Sequence, residues 1–179
     1  MRKLIFILVA IFMSTVASAQ SFRKGTTTAN VGIGLGTGLG GLGKSRPAIS
    51  ASFDHGVWET GGPGVISIGG YVGNTGYKYS DLGYTAKWNY VVVGARGAYH
   101  YNGFTSAPKL DVYGGAMLAY NIVKYSSDGD DMSLSNNYSS GIGLSGFLGS
   151  RWFFSENMGG YAELGFGVSV LNIGITFKL

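Results

Sequence analysis

The last ten residues, 170–179, alternate apolar and polar side chains up to the C-terminus. One face of an extended strand then carries Leu171, Ile173, Ile175, Phe177 and Leu179, and the other carries Asn172, Gly174, Thr176 and Lys178. This two-residue period predicts a strand with apolar surroundings on one side and polar surroundings on the other. Repeated in an exported chain, it is typical of a barrel that crosses a membrane, with apolar side chains toward lipid and polar ones toward the lumen.

The first 19 residues have the pattern of a secretory signal peptide. Arg2 and Lys3 supply the positive start, residues 4–13 are apolar, and Ala17-Ser18-Ala19 is a small-residue cleavage site. The apolar run is too short to span a bilayer as a helix, which favours cleavage over anchoring. We therefore expect a barrel domain of residues 20–179, exported to the bacterial outer membrane.

The composition combines many apolar residues with few charges. Hydrophobic residues make up 45% of the chain and charged residues 12%, which is about half the usual share of charge. A barrel accounts for both values, because every second strand residue faces lipid. The chain has no cysteine, so no disulfide framework supports it. The net charge is +4, and two of these charges belong to the signal peptide, so nucleic acid is not an expected partner.

Reading for the two-residue period predicts eight strands. Their predicted spans are 27–37, 47–54, 65–73, 88–101, 109–125, 138–153, 159–166 and 169–179. An even number places both termini on the periplasmic side. Segments 74–87 and 126–137 are predicted as long outer loops, and the inner turn 55–64 is longer than the pattern favours. The predicted fold class is an all-β, eight-stranded antiparallel up-and-down transmembrane β-barrel.

Aromatic residues near the predicted strand ends suggest two interfacial girdles. The outer girdle is predicted to contain Trp88, Tyr90, Tyr120, Tyr125 and Tyr138. The inner girdle is predicted to contain Tyr99, Tyr101, Trp152, Phe153 and Phe177. The alternative is ordinary cross-strand aromatic pairing in a soluble sheet.

Six charged residues inside the predicted strands share the polar register. They are Asp54, Arg96, Asp111, Arg151, Glu163 and Lys178. On the lipid face a Lys or Arg at mid-depth costs about 2–4 kcal/mol, whereas in the lumen such side chains can pair with each other. We therefore expect a polar network in the lumen. Whether it forms a plug or a selective pathway stays open at this point.

The segment Gly38–Ser45 matches the phosphate-binding pattern G-x-x-x-x-G-K-[ST]. That loop functions where a strand precedes it and a helix follows, because the helix N-terminus holds the phosphates. Here Arg46-Pro47 and a two-residue period follow instead. The match is interpreted as a chance product of a glycine-rich outer loop, and the same holds for the overlapping G-x-G-x-x-G at Gly38, Gly40 and Gly43.

Neither the acidic residues nor the histidines predict a catalytic or metal site. The segment with Asp128, Asp130 and Asp131 resembles a calcium loop but lacks the glycine at its sixth position and its terminal glutamate. This favours a solvated acidic loop. Weak bridging of a divalent cation to lipopolysaccharide stays open. His55 and His100 have no paired motif, and His100 is predicted as a lumen or rim residue. No cofactor or metal is therefore expected.

The signal, the eight alternating strands and the terminal strand with Phe177 resemble the small porin-like outer-membrane β-barrel family, with eight-stranded barrels of the OmpA, OmpX and OmpW type. The resemblance covers essentially the whole mature chain. It implies a protein without cofactors whose terminal aromatic strand is recognised by the barrel-assembly machinery. That role falls here on Phe177 and Leu179, although the family's terminal residue is Phe and this chain ends in Leu.

The barrel size limits the function. Eight strands enclose an interior just wide enough for side chains to fill, so a wide pore is not expected. The leading hypothesis is a non-enzymatic barrel with a structural or surface-loop role, embedded among outer-membrane lipids and lipopolysaccharide. The alternatives are a narrow channel for small or apolar solutes, a lipid-modifying enzyme and a soluble secreted β-sandwich. An extracellular ligand or small solute at the outer loops remains an open expectation.

Overall fold

The chain forms a closed antiparallel barrel in which each strand pairs with the next and β8 returns to β1. The computed structural model describes residues 22–36, 39, 44–81, 84–127 and 140–179. Within these ranges no helix is long and apolar enough to cross a membrane. The strands are β1 Thr27–Leu35, β2 Lys44–Glu59, β3 Gly64–Asp81, β4 Tyr84–Tyr101, β5 Leu110–Ser127, β6 Gly141–Phe153, β7 Met158–Gly165 and β8 Leu171–Lys178. The predicted all-β, up-and-down barrel of eight strands is confirmed.

The strand register fixes the tilt of the barrel. Thr26, next to the start of β1, lies opposite Gly56. Stepping from each residue to its partner on the next strand, once around the barrel, returns to the end of β1 at Gly36, so the strands are staggered by ten residues in total. Ten residues correspond to about 33 Å along a strand, and eight strands spaced by about 4.8 Å give about 38 Å across them. The strands are therefore tilted by about 40°, within the range of transmembrane barrels.

The outside of the barrel is apolar. Ile142 and Leu144 are 77% and 79% exposed on β6, and apolar residues on the other strands share this face. Along β6 the outward apolar side chains run from Ile142 to Trp152, about 25 Å along the barrel axis at this tilt. This height equals that of the lipid-facing band of outer-membrane barrels. Polar residues fill the other register, as on β1, where Asn30 is buried and Val31 is exposed.

Three strand predictions, those of β2, β3 and β4, were clearly too short. The predicted outer loop 74–87 is mostly β-structure, because β3 continues to Asp81 and β4 already begins at Tyr84. The predicted inner turn 55–64 is also mostly strand, since β2 runs to Glu59. The extension of β3 and β4 is mostly polar, so the loss of apolar alternation was mistaken for the end of the strand, and in β2 a register shift between Gly56 and Trp58 interrupts the alternation. Backbone pairing continues beyond the region that hydrophobic alternation marks.

The girdle prediction was wrong at four positions. Trp88, Tyr90 and Phe153 are buried and point into the barrel, because they occupy the inward register of β4 and β6. The fourth is Tyr125, which lies on the inward register of β5 and packs against Trp88. Tyr138 lies outside the described residues. The predicted girdle residues with clearly exposed side chains are Tyr99, Tyr101, Tyr120, Trp152 and Phe177.

The lumen divides into two layers along the axis. We call the end at which β1 begins and β8 ends the terminal end, and the opposite end the distal end. Toward the distal end the lumen holds an apolar layer of Ala48, Tyr71, Val92, Met117, Ala119 and Val168. Toward the terminal end it holds charged side chains, which form the candidate site.

Candidate functional site

Five charged side chains meet in one ion-pair network, which we call the lumen network. Arg96 Nη2 lies 2.7 Å from Glu163 Oε2, and its Nε lies 3.0 Å from Asp54 Oδ1. Arg151 pairs with the second oxygen of Asp54 and, at 2.9 Å, with Asp111 Oδ2. Asp54 thus joins the two guanidinium groups. All five residues are buried, and their strands bring them together because each faces inward.

Aromatic rings and neutral polar groups complete the network. The Arg96 Cζ atom lies 3.8 Å from the centroid of the Phe147 ring, and Arg151 Cζ lies 4.1 Å from that of Tyr113. Tyr113 also donates its hydroxyl to Glu163 Oε2 at 3.0 Å. Planar guanidinium groups stack well on rings, which lowers the cost of burying their charge. The arrangement is a rigid packed layer.

His100 connects this network to Ser67. Its Nδ1 lies 2.9 Å from Asp111 Oδ1, and its Nε2 lies 2.9 Å from Ser67 Oγ. The order Ser–His–Asp is that of a hydrolytic triad. However, Ser67, His100 and Asp111 are all 0% exposed, and Arg151 also holds Asp111. A nucleophile must reach a substrate carbonyl, so in this closed state the group is a structural hydrogen-bond chain.

The N-terminal residues close the terminal end. Phe22 is 0% exposed, and its ring stacks on His100 with 3.8 Å between centroids and 11° between planes. Its carbonyl oxygen accepts a hydrogen bond from Asn102 Nδ2. Gly25 N donates to Gly56 O at 2.8 Å, which ties this segment to β2. Phe22 is therefore a plug on the periplasm-facing side of the network, if the termini face the periplasm as predicted.

The distal side is closed by the connection between β7 and β8. Val168 is 0% exposed within the apolar layer, and its backbone N–H donates to Tyr71 Oη at 3.2 Å. Between this layer and the lumen network the described residues leave a cavity of about 10 Å³, lined by Arg96, Glu163 and Tyr71 among others. Such a space holds about one water molecule. In the part of the barrel that the structure describes, side chains pack the lumen at this level.

The remaining predicted site residues lie at the terminal end of β8. Lys178 shares the inward register and is half-buried, with its Nζ 4.2 Å from the centroid of the Phe153 ring. The ion pairs of the lumen network join Asp54, Asp111 and Glu163 to the two arginines. Phe177 and Leu179 are 40% and 80% exposed on the outer face. Their assembly role stays a prediction.

The sequence motifs that were interpreted as chance matches lie partly outside the described residues. The acidic loop with Asp128 is among the undescribed positions, as are the signal peptide and most of the glycine run. Lys44 begins β2, so a strand and not a helix follows the phosphate-loop pattern. Among the described residues, no group of three or more His, Cys, Asp or Glu side chains could hold a metal ion.

Sequence reasoning missed Ser67, Tyr113, Phe22 and Val168. Ser67 could have been placed in the lumen, since it lies between Ile66 and Ile68 in the predicted strand 65–73 and alternation puts it on the opposite face. Its contact with His100 depends on the register of the β3–β4 hairpin, which the assumed long loop left undefined. Phe22 and Val168 lie outside the strands, where the two-residue period carries no information.

Comparisons with known proteins agree with the fold. No family model matches the chain, and no curated protein matches it. A de novo designed transmembrane β-barrel is 18% identical with a TM-score of 0.55, covering 88% of this chain and 98% of its own. The N-terminal β-barrel domain of Pseudomonas aeruginosa OprF is 13% identical with a TM-score of 0.50, covering 88% and 100%. This likeness shows the fold of small transmembrane barrels.

Proposed function

We propose that this chain is a non-enzymatic integral outer-membrane barrel with a closed lumen, which supports the envelope and presents its distal connections at the cell surface. The observation that carries the proposal is the packing of the lumen: among the described residues, the charged layer and the apolar layer follow each other along the axis, and Phe22 covers the terminal end. A packed interior supports a structural role over the narrow-channel alternative, because a solute needs a continuous path.

The outer surface supports the membrane location. A continuous apolar belt of this height would cause aggregation in water, whereas lipid covers it without cost. In the proposed orientation the signal peptide is cleaved before Gln20 and the termini face the periplasm. Outer-membrane lipids and lipopolysaccharide surround the belt. The barrel-assembly machinery recognises the strand that ends in Phe177 and Leu179, and an extracellular ligand binds, if anywhere, at the distal connections.

The first experiment refolds residues 20–179 in detergent and compares boiled with unboiled gel mobility. We expect a heat-dependent shift, followed by no single-channel conductance in planar bilayers above that of protein-free bilayers. No shift, together with solubility in plain buffer, would contradict the membrane barrel. A shift with discrete conductance steps would instead support the narrow channel.

One observation favours a second function, hydrolysis of an ester with Ser67 as nucleophile. Its hydrogen bond to His100 and that of His100 to Asp111 have the geometry of a triad, and Phe22 would have to leave for a substrate to enter. The test is labelling by a fluorophosphonate, with Phe22→Ala to open the terminal end and Ser67→Ala as the control. We expect no labelling of the wild type or of Phe22→Ala, and labelling that depends on Ser67 would overturn the non-enzymatic proposal.

A further inference from the structure

A second cavity lies on the outer face at the distal end, away from the lumen. It measures about 230 Å³ and is lined by Arg46, Gly76, Tyr77, Lys78, Lys87, Trp88 and Asn89. Three of these seven residues are cationic, and none is acidic. We call this cavity the basic cleft. Gly76 forms part of its floor, where an added Cβ would lie 3.2 Å from Arg46 Nε and 2.6 Å from the Trp88 carbonyl oxygen.

A β-bulge places Arg46 in the cleft. Residues 48, 50 and 54 of β2 are buried on the inward register, and by alternation residue 46 would face inward too. The pairing of β2 with β3 shifts by one residue between Arg46 and Ile49. Arg46 therefore lies on the outer face, where its guanidinium contacts the side-chain oxygen of Asn74 and lies 3.5 Å from that of Asn89. Bulges commonly re-aim a side chain at functional sites.

The cations of the cleft repel each other. Lys78 and Lys87 are direct cross-strand partners, and the backbone of Lys44 pairs with Lys78 on the other side. Like charges directly opposite each other destabilise a sheet. Among the described residues no ion pair involves Arg46, Lys78 or Lys87, and the acceptors nearest Arg46 are neutral amides. A bound anion would remove this repulsion.

The cleft lies just beyond the apolar belt. The paired positions Ile49, Asn74, Val91 and Ile122 form the row at which the outward side chains change from apolar to polar. Arg46, Gly76, Asn89 and Lys124 form the next outward-facing row, about 7 Å further along the strands. If the belt lies in hydrocarbon, the cleft lies at the level of the lipid headgroups in the distal leaflet.

We propose that the basic cleft binds phosphate monoester groups, with the phosphorylated glycolipid of the outer leaflet as their source. This inference rests on the proposed membrane location. Lysine and arginine are the side chains that bind phosphate oxygens by charge-assisted hydrogen bonds. The cleft volume is several times the roughly 30 Å³ of one water, so a phosphate group fits with its hydration water.

The test compares two variants of equal net charge in detergent. Lys78→Gln/Lys87→Gln removes two charges from the cleft, and Lys24→Gln/Lys109→Gln removes two from the terminal end. Native mass spectrometry measures binding of bisphosphorylated lipid A, of its enzymatically dephosphorylated form and of inorganic pyrophosphate. We expect lipid A to bind the wild type, with affinity about tenfold weaker for the cleft variant and nearly unchanged for the control.

Each outcome decides between explanations. If lipid A binds only with its phosphates and more tightly than pyrophosphate, the ligand of the cleft is the membrane glycolipid. If pyrophosphate binds as tightly as lipid A, the ligand is a soluble phosphate compound. An equal loss of lipid A affinity in both variants, or no loss in either, would overturn the proposal that the basic cleft binds phosphate. Because the substitutions relieve repulsion between the lysines, the cleft variant should be at least as resistant to unfolding as the wild type. Weaker binding by this variant then cannot be attributed to misfolding. The heat-dependent gel shift tests the membrane barrel separately.

Discussion

Removing Arg151 tests whether the lumen network stabilises the barrel. Its guanidinium contacts Asp54, Asp111 and the Asn30 side-chain oxygen, and it is 0% exposed. In Arg151→Met an unbranched stem of similar length stays in place, but the guanidinium contact with the Tyr113 ring is lost and both carboxylates lose one of their charged partners. Asp54 keeps Arg96 and Asp111 keeps His100.

The expected magnitude follows from these contacts. A hydrogen bond to a charged group contributes about 1.5–3 kcal/mol, so losing one at each of the two carboxylates costs about 3–6 kcal/mol. This overlaps the range of about 3–5 kcal/mol for breaking a buried ion pair. Replacing Asp111 as well, in Asp111→Asn/Arg151→Met, removes one of the two carboxylate charges that lost a partner and keeps an amide oxygen to accept from His100 Nδ1. The double variant should therefore recover about 1.5–3 kcal/mol relative to Arg151→Met.

The assay is equilibrium urea unfolding in lipid vesicles, followed by tryptophan fluorescence. Lys124→Met, which removes an exposed cation on β5, is the control and should change the free energy of unfolding by less than about 0.5 kcal/mol. A cost below about 1 kcal/mol for Arg151→Met, or a double variant less stable than the single one, would refute the reasoning.

Three further predictions concern closure, the plug and assembly. Gly174→Ala should reduce the heat-shifted fraction on unboiled gels, because the new Cβ would lie 2.1 Å from the Val31 carbonyl oxygen, where β1 pairs with β8. In the control Gly141→Ala the new Cβ has no neighbouring atom within 4 Å, so this variant should fold normally. Phe22→Ala should speed hydrogen exchange at the terminal end of the barrel without producing conductance, since the lumen network still closes it. Phe177→Ala should lower the folded fraction in cells but not after refolding in detergent, and the matched control Ile175→Ala, on the same face of β8, should lower neither.

The two-residue period predicted well where the strands lie and which of their side chains face outward, because lipid and lumen impose opposite polarity on alternate residues. That phase alone placed Asp54, Arg96 and Glu163 on the inner face. It could not give the pairs they form, since pairing depends on the stagger of ten residues around the barrel. It also ended β3 too early, where polar residues replace the apolar alternation, and β2 too early, where the register shifts between Gly56 and Trp58.

The same limit explains why the basic cleft was invisible in the sequence. Arg46 and Lys78 are 32 positions apart, and the bulge near Pro47 reverses the face that alternation assigns to Arg46. Inside the barrel, each arginine lies against carboxylates, which makes the packing rigid and leaves little charge to bind a ligand. Outside, above the belt, the cations lie beside neutral amides and each other. A buried cation that is paired with a carboxylate contributes to the packing of the fold, whereas a cation without a carboxylate partner at the headgroup level favours binding of an anion. By this contrast, the proposed binding surface is the outer wall of the barrel and not the lumen.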